Sequence, residues 1–218
     1  MRYQYILFDL DGTLIDSKEG ITKSVQYALE SLGISEDNPD NLLRFIGPPL
    51  MDSFQDYYDM DEETSKKGLI KYRERFETKG MYENKVYPGI SDMLDTLISN
   101  NLIPILATSK PEIYAEKILV DLNLAKYFKV IVGSEMDGSR AKKKDIILEV
   151  FQRMNFSSED LRRVVMVGDR EHDIIGANAC HIDSIGVRYG FAKEDELEKV
   201  GATYIINSTQ ELAQFLTT

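Results

Sequence analysis

Tyr5-Ile6-Leu7-Phe8-Asp9-Leu10-Asp11-Gly12-Thr13 is the stretch from which the fold of this chain can be read. Four apolar residues in a row, without alternation, predict a strand buried on both faces, as in a parallel sheet covered by helices. The run ends in two aspartates two apart, which extended backbone projects to the same side. Gly12 then allows a sharp departure that a residue with a Cβ resists. The C-terminal end of a parallel strand is where open α/β sheets bind their ligands.

Outward from this stretch, apolar runs recur at 102–108, 129–133, 164–168, 184–187 and 203–206. Amphipathic segments at 91–100, 111–122, 144–154, 173–179, 194–200 and 209–216 alternate with them. Strands alternating with helices predict an α/β fold, a Rossmann-like core with a parallel sheet flanked by helices. One region breaks the rhythm. Between Asp16 and Lys85 there is no strand pattern, only helical signals. Ile21, Val25, Leu29 and Leu32 share a helix face that Gly33 closes, and Asn38-Pro39 opens a second helix through Leu42, Leu43 and Phe45. Gly47-Pro48-Pro49 stops it, and helical patterns resume at 50–58 and 62–79. We therefore expect a core of residues 1–15 and 86–218 and an inserted helical cap of residues 16–85, with hinges at 16–18 and 84–88.

Composition narrows the function. The 218 residues carry a net charge of −11, which argues against a nucleic acid polymer as partner, since such binding depends on Lys and Arg neutralising phosphates. No apolar run approaches a membrane span, and the N-terminus reaches acids too soon for a signal peptide. A single cysteine, Cys180, suits a cytoplasmic location. An acidic protein can still handle an anionic substrate if a metal ion sits between the two charges.

Three more polar clusters end later strands. Thr108-Ser109-Lys110 offers hydroxyl and backbone donors for a phosphate oxygen. Lys142-Lys143-Lys144 opens a helix carrying Ile146, Ile147, Val150 and Phe151. Gly168-Asp169-Arg170-Glu171-His172-Asp173 sets two acids four apart across a strand end and a helix start, where both can offer hard oxygen ligands to Mg²⁺. Other candidates have plainer explanations. His172 is a local hydrogen-bonding residue, Cys180 a small packed side chain, and Tyr57, Tyr58 and Phe76 belong to packing within the cap. Arg44 and Lys18 are placed to reach an anionic substrate tail from the cap, or are ordinary surface cations.

These four stretches, in this order, resemble the haloacid dehalogenase superfamily of hydrolases. The helical insert after the first motif resembles the subfamily that includes phosphoglycolate phosphatases. Gly47-Pro48-Pro49-Leu50, Thr108-Ser109-Lys110-Pro111 and the 168–173 stretch are similar to its phosphoglycolate phosphatase-like or 5′-nucleotidase-like branch. The resemblance implies a Mg²⁺-dependent phosphomonoesterase acting on a small phosphorylated metabolite, as monomer or homodimer. It implies Asp9 as nucleophile and Asp11 as acid and base, with Thr108 and Lys143 fixing the transferring oxygens and Lys143 keeping Asp9 ionised. Lys142 and Lys144 remain register alternatives. Asp9, Asp11, Asp169 and Asp173 would serve the metal, and Thr13, Ser109, Lys110 and Arg44 the substrate or its phosphate. A phosphomutase keeps every motif and is the nearest rival. A receiver-type signalling module carries its phosphorylated Asp on the third strand, and a glycosyltransferase DxD normally follows a nucleotide-binding region, so both fit less well.

Overall fold

The computed structural model describes residues 2–218. The chain forms two compact units, one from the segments up to Ile15 and from Val86 onward, the other from Asp16–Lys85. In chain order the strands are β1 (Tyr5–Phe8), β2 (Ile15–Asp16), β3 (Lys85–Val86), β4 (Ile103–Pro111), β5 (Ile131–Ser134), β6 (Val164–Gly168), β7 (Asp183–Val187) and β8 (Tyr204–Ile206). A six-stranded sheet has the order β5-β4-β1-β6-β7-β8, and its pairings are parallel. The predicted α/β class is therefore the observed one. The short β2 and β3 pair with each other. At two residues each, they are too short to leave a periodic trace in the sequence, which is why none was expected there.

β1 lies between β4 and β6, with Phe8 opposite Leu106 on one side and Val167 on the other. The strand order reverses about β1, so the C-terminal ends of β1, β4 and β6 converge at a topological switch point. Ile6, Leu7 and Phe8 are all fully buried, which explains the unbroken apolar run. Leu7 shares one core cluster with Ile105, Val132 and Met166 from the sheet and with Ile146, Ile147, Val150 and Ala177 from the helices.

The helices are α1 (Lys18–Ser31), α2 (Leu50–Tyr58), α3 (Glu62–Thr78), α4 (Ile90–Ser99), α5 (Glu112–Asp121), α6 (Lys143–Met154), α7 (Ser158–Leu161), α8 (Glu171–Ala179), α9 (Glu196–Lys199) and α10 (Thr209–Thr217). Among the described residues, no helix is long and apolar enough to cross a membrane. The single turn of α7 escaped the sequence reading. It is held by a capping box in which Ser157 and Asp160 bond each other's backbone.

The helical unit departs from expectation at one place. Asn38 does cap the next segment, its side chain accepting from the Asp40 N–H at 3.1 Å, but Pro39–Phe45 is a 3₁₀ helix. Its buried residues, Leu42 and Phe45, are three apart, the spacing that aligns on one face at three residues per turn. Gly33 ends α1 as predicted: its φ is +78°, and the Ile34 N–H reaches back to the Leu29 carbonyl. Phe45 packs against Phe54, Tyr57 and Tyr58, and Phe76 stacks on Tyr72, so these rings serve packing within the unit.

Candidate active site

The site begins where β1 ends. The Asp9 N–H donates to the Val167 carbonyl at 2.9 Å, which carries the pairing with β6 one residue past the strand and fixes the Asp9 backbone. The chain then turns at Gly12, whose φ is +85°. A Cβ there would sit 2.1 Å from Asp169 Oδ2, and one on Gly190 would sit 2.2 Å from the Gly12 carbonyl oxygen. Backbone therefore approaches the Asp169 carboxylate from two loops, and neither tolerates a side chain. Gly12→Ala is expected to cost roughly 1–3 kcal/mol of stability from backbone strain alone. Its methyl would also displace the Asp169 carboxylate. Thermal melts check this, and an unchanged melting temperature would contradict the geometry.

Lys143 is the first residue of α6 and precedes Ile146, Ile147 and Val150 by three, four and seven positions. Helical spacing puts these four on one face, and all are buried, whereas Lys142 and Lys144 are exposed. The ammonium donates to Asp9 Oδ1 at 2.7 Å and to the Ala107 carbonyl at 2.9 Å, and pairs with Asp173 Oδ1 at 2.8 Å. Two hydrogen bonds and one ion pair from this ammonium thus tie β1, β4 and α8 together. Burial alone would lower the Lys143 pKa, but the charges of Asp173 and Asp9 outweigh it and raise it.

Asp169 Oδ1 accepts from the Thr13 hydroxyl at 3.1 Å, and Oδ2 from the Phe191 N–H at 2.7 Å. Asp173 Oδ2 accepts from the Arg170 N–H at 3.1 Å. Burial, reinforced by the charges of Asp173 and Asp9, pushes Asp169 well above the usual carboxylate range. Burial raises Asp173 to about 6 despite the opposing pull of Lys143. Lys110 pairs with Asp11 Oδ2 at 3.0 Å, both side chains being buried. The Thr108 hydroxyl is buried and accepts from the Lys110 N–H at 3.3 Å, and the Ser109 carbonyl accepts from the Ser134 hydroxyl at 2.9 Å. The structure thus brings together Asp9, Asp169, Asp173 and Lys143, with Asp11 paired to Lys110 and Thr13 joined to Asp169. Arg44 belongs to the helical unit, where its guanidinium lies 4.5 Å from the Tyr57 ring centroid and 5.3 Å from that of Tyr58.

The donor set fits a hard divalent cation. One carboxylate oxygen from each of Asp9, Asp169 and Asp173 lies within 4.8 Å of the others, and all three residues are buried. Asp11 Oδ1 is buried with no hydrogen-bond partner. Four buried carboxylates face the ammonium groups of Lys110 and Lys143, which leaves negative charge that a dication would offset. An all-oxygen donor set with no His or Cys is the kind that Mg²⁺ takes.

Sequence reasoning missed the loop after β7. There the Phe191 N–H serves Asp169, Gly190 packs on Gly12, and the Tyr189 hydroxyl donates to the Thr13 carbonyl at 3.1 Å. Its one signal was Gly190 close behind a sheet strand. Backbone donors leave no trace in residue type. His172 is partly buried, and burial together with the Arg170 charge holds its pKa down.

Known proteins are similar to this chain along most of its length. A 5′-nucleotidase of Pseudomonas aeruginosa is 42% identical over 216 residues, covering 99% of this chain and 96% of the relative. Tyrosine-protein kinase PtkA of Mycobacterium tuberculosis is 33% identical over 205 residues, covering 94% of this chain and 69% of the relative. The solved structure of a predicted phosphatase from Clostridium acetobutylicum aligns with a TM-score of 0.95 at 46% identity, over 99% of each chain. A family profile described as haloacid dehalogenase-like hydrolase matches residues 6–187, a span that contains every strand end converging on Asp9, and the chain belongs to that family.

Proposed function

We propose that this protein is a Mg²⁺-dependent phosphomonoesterase that works through an aspartyl-phosphate on Asp9. The observation that carries the reading is the buried Lys143 ammonium bridging Asp9 and Asp173, with the oxygens of Asp9, Asp169 and Asp173 gathered within 4.8 Å. Lys143 holds Asp9 Oδ1 at 2.7 Å and so aims the carboxylate, whose other oxygen attacks phosphorus in line. Asp11, two residues on, protonates the leaving oxygen and then takes a proton from the water that cleaves the phosphoenzyme. Thr108 steadies a transferring oxygen at the end of β4. Mg²⁺ held by Asp9, Asp169, Asp173 and the Asp11 segment would offset the repulsion between carboxylate and phosphate.

Nucleoside 5′-monophosphates are the favoured substrate class, supported by the relative that is 42% identical over nearly the whole chain. Phosphoglycolate is the other candidate, on the motif resemblance. A cytoplasmic enzyme acting on a small soluble metabolite fits the single cysteine and the net charge of −11. The test is phosphate release from nucleoside monophosphates, phosphoglycolate and sugar phosphates, with Mg²⁺ and with a chelator. Chelator-sensitive release is expected, with the highest kcat/KM on a nucleotide. Release that persists in chelator would overturn the reading.

The kinship with PtkA favours a second acceptor, since a phosphoenzyme can pass its group to a tyrosine hydroxyl as well as to water. Phosphotyrosine formed in a peptide from a phosphodonor would establish it. Thr108→Ala removes one of several groups that can hold the phosphate. We expect kcat/KM to fall by roughly 10- to 1000-fold, with measurable turnover remaining.

A further inference from the structure

Arg170 stands between the two aspartates of the 168–173 turn, yet its Nε donates to Glu196 Oε1 at 2.8 Å, 26 residues along the chain. The two side chains are only 7% and 8% exposed. Glu196 accepts two further bonds, from the N–H of Glu171 at the start of α8 and from the N–H of Lys193, both at 2.9 Å. Burial alone would raise the Glu196 pKa, but these N–H groups and Arg170 hold it below its ordinary value.

One carboxylate therefore joins two segments. Arg170, the residue that precedes α8, holds Asp173 through its N–H, and the loop after β7 holds Asp169 through the Phe191 N–H. Buried ion pairs contribute little net stability, because desolvation consumes most of the Coulombic gain. Their value lies in geometry, and here the geometry concerns the spacing of two carboxylates. We propose that Arg170 and Glu196 are positioning residues that fix Asp169 relative to Asp173 and so set the affinity of the acidic site for its divalent cation. The inference rests on the reading of those aspartates as cation ligands given above.

The test is calorimetric titration of metal-free protein with Mg²⁺ alone, for wild type, Glu196→Ala, Glu196→Gln and Arg170→Lys, with thermal melts alongside. Outer groups that orient metal ligands typically change affinity by about 10- to 100-fold, and Glu196→Ala is expected to raise Kd for Mg²⁺ by that factor. Glu196→Gln keeps one carbonyl acceptor and Arg170→Lys keeps the charge, so both should weaken binding less. These two variants decide the matter if Glu196→Ala does not fold. Wild-type affinity in variants that merely melt lower would make the pair structural and overturn the proposal. No Mg²⁺ binding by wild type would instead remove the cation reading itself, and this inference with it.

Discussion

Asp9→Asn is expected to abolish phosphate release, with a loss of about 10⁴-fold or more, the scale at which removal of a covalent nucleophile is felt. The substitution changes almost nothing else. An amide is the same size as a carboxylate, and its oxygen can still accept from Lys143. Lys143 also keeps Asp173 and the Ala107 carbonyl, so the end of β1 stays tied to β4 and α8. The variant should therefore fold and still bind Mg²⁺, more weakly, through the remaining carboxylates. What it loses is nucleophilicity, because an amide oxygen does not displace an alkoxide from phosphorus. Comparison with Thr108→Ala gives the assignment its edge. If the two variants lose activity equally, Asp9 is only another binding group.

Lys143→Met should produce the largest loss of stability. Methionine reproduces the length of the stem but leaves Asp9 Oδ1, Asp173 Oδ1 and the Ala107 carbonyl without their shared donor. Breaking a buried pair from one side costs about 3–5 kcal/mol, because the remaining charge stays buried and uncompensated. Small domains are stable by only about 5–15 kcal/mol, so the metal-free variant should melt far lower than wild type. Mg²⁺ should recover part of that loss, since a dication supplies positive charge to the same carboxylates. Lys142→Met and Lys144→Met alter exposed side chains and should stay within about 0.5 kcal/mol of wild type. Equal melting of all three variants would show that Lys143 carries no special burden.

Much of this was legible in the sequence, for definite physical reasons. Tyr5–Phe8 could be read as a central strand because burial on both faces forces an unbroken apolar run. The register of the lysine run was encoded as well: only Lys143 stands three, four and seven residues before the buried Ile146, Ile147 and Val150. Other parts could not be read. The 3₁₀ geometry of Pro39–Phe45 depends on how Leu42 and Phe45 pack, which a helical pattern does not distinguish. Lys110 looked like a phosphate ligand, and its pairing with Asp11 appears only once β1 and β4 lie side by side. The Phe191 N–H and the link from Arg170 to Glu196 depend on a loop returning across the sheet, a long-range closure with no local signature.

Acid quenching of the enzyme during turnover of a radiolabelled phosphomonoester, followed by peptide mapping, locates the phosphoryl group. A base-labile phosphoryl group is expected on the peptide containing Asp9, absent without Mg²⁺ and absent in Asp9→Asn. Steady turnover with no label on the protein, or a label on any other residue, would contradict it.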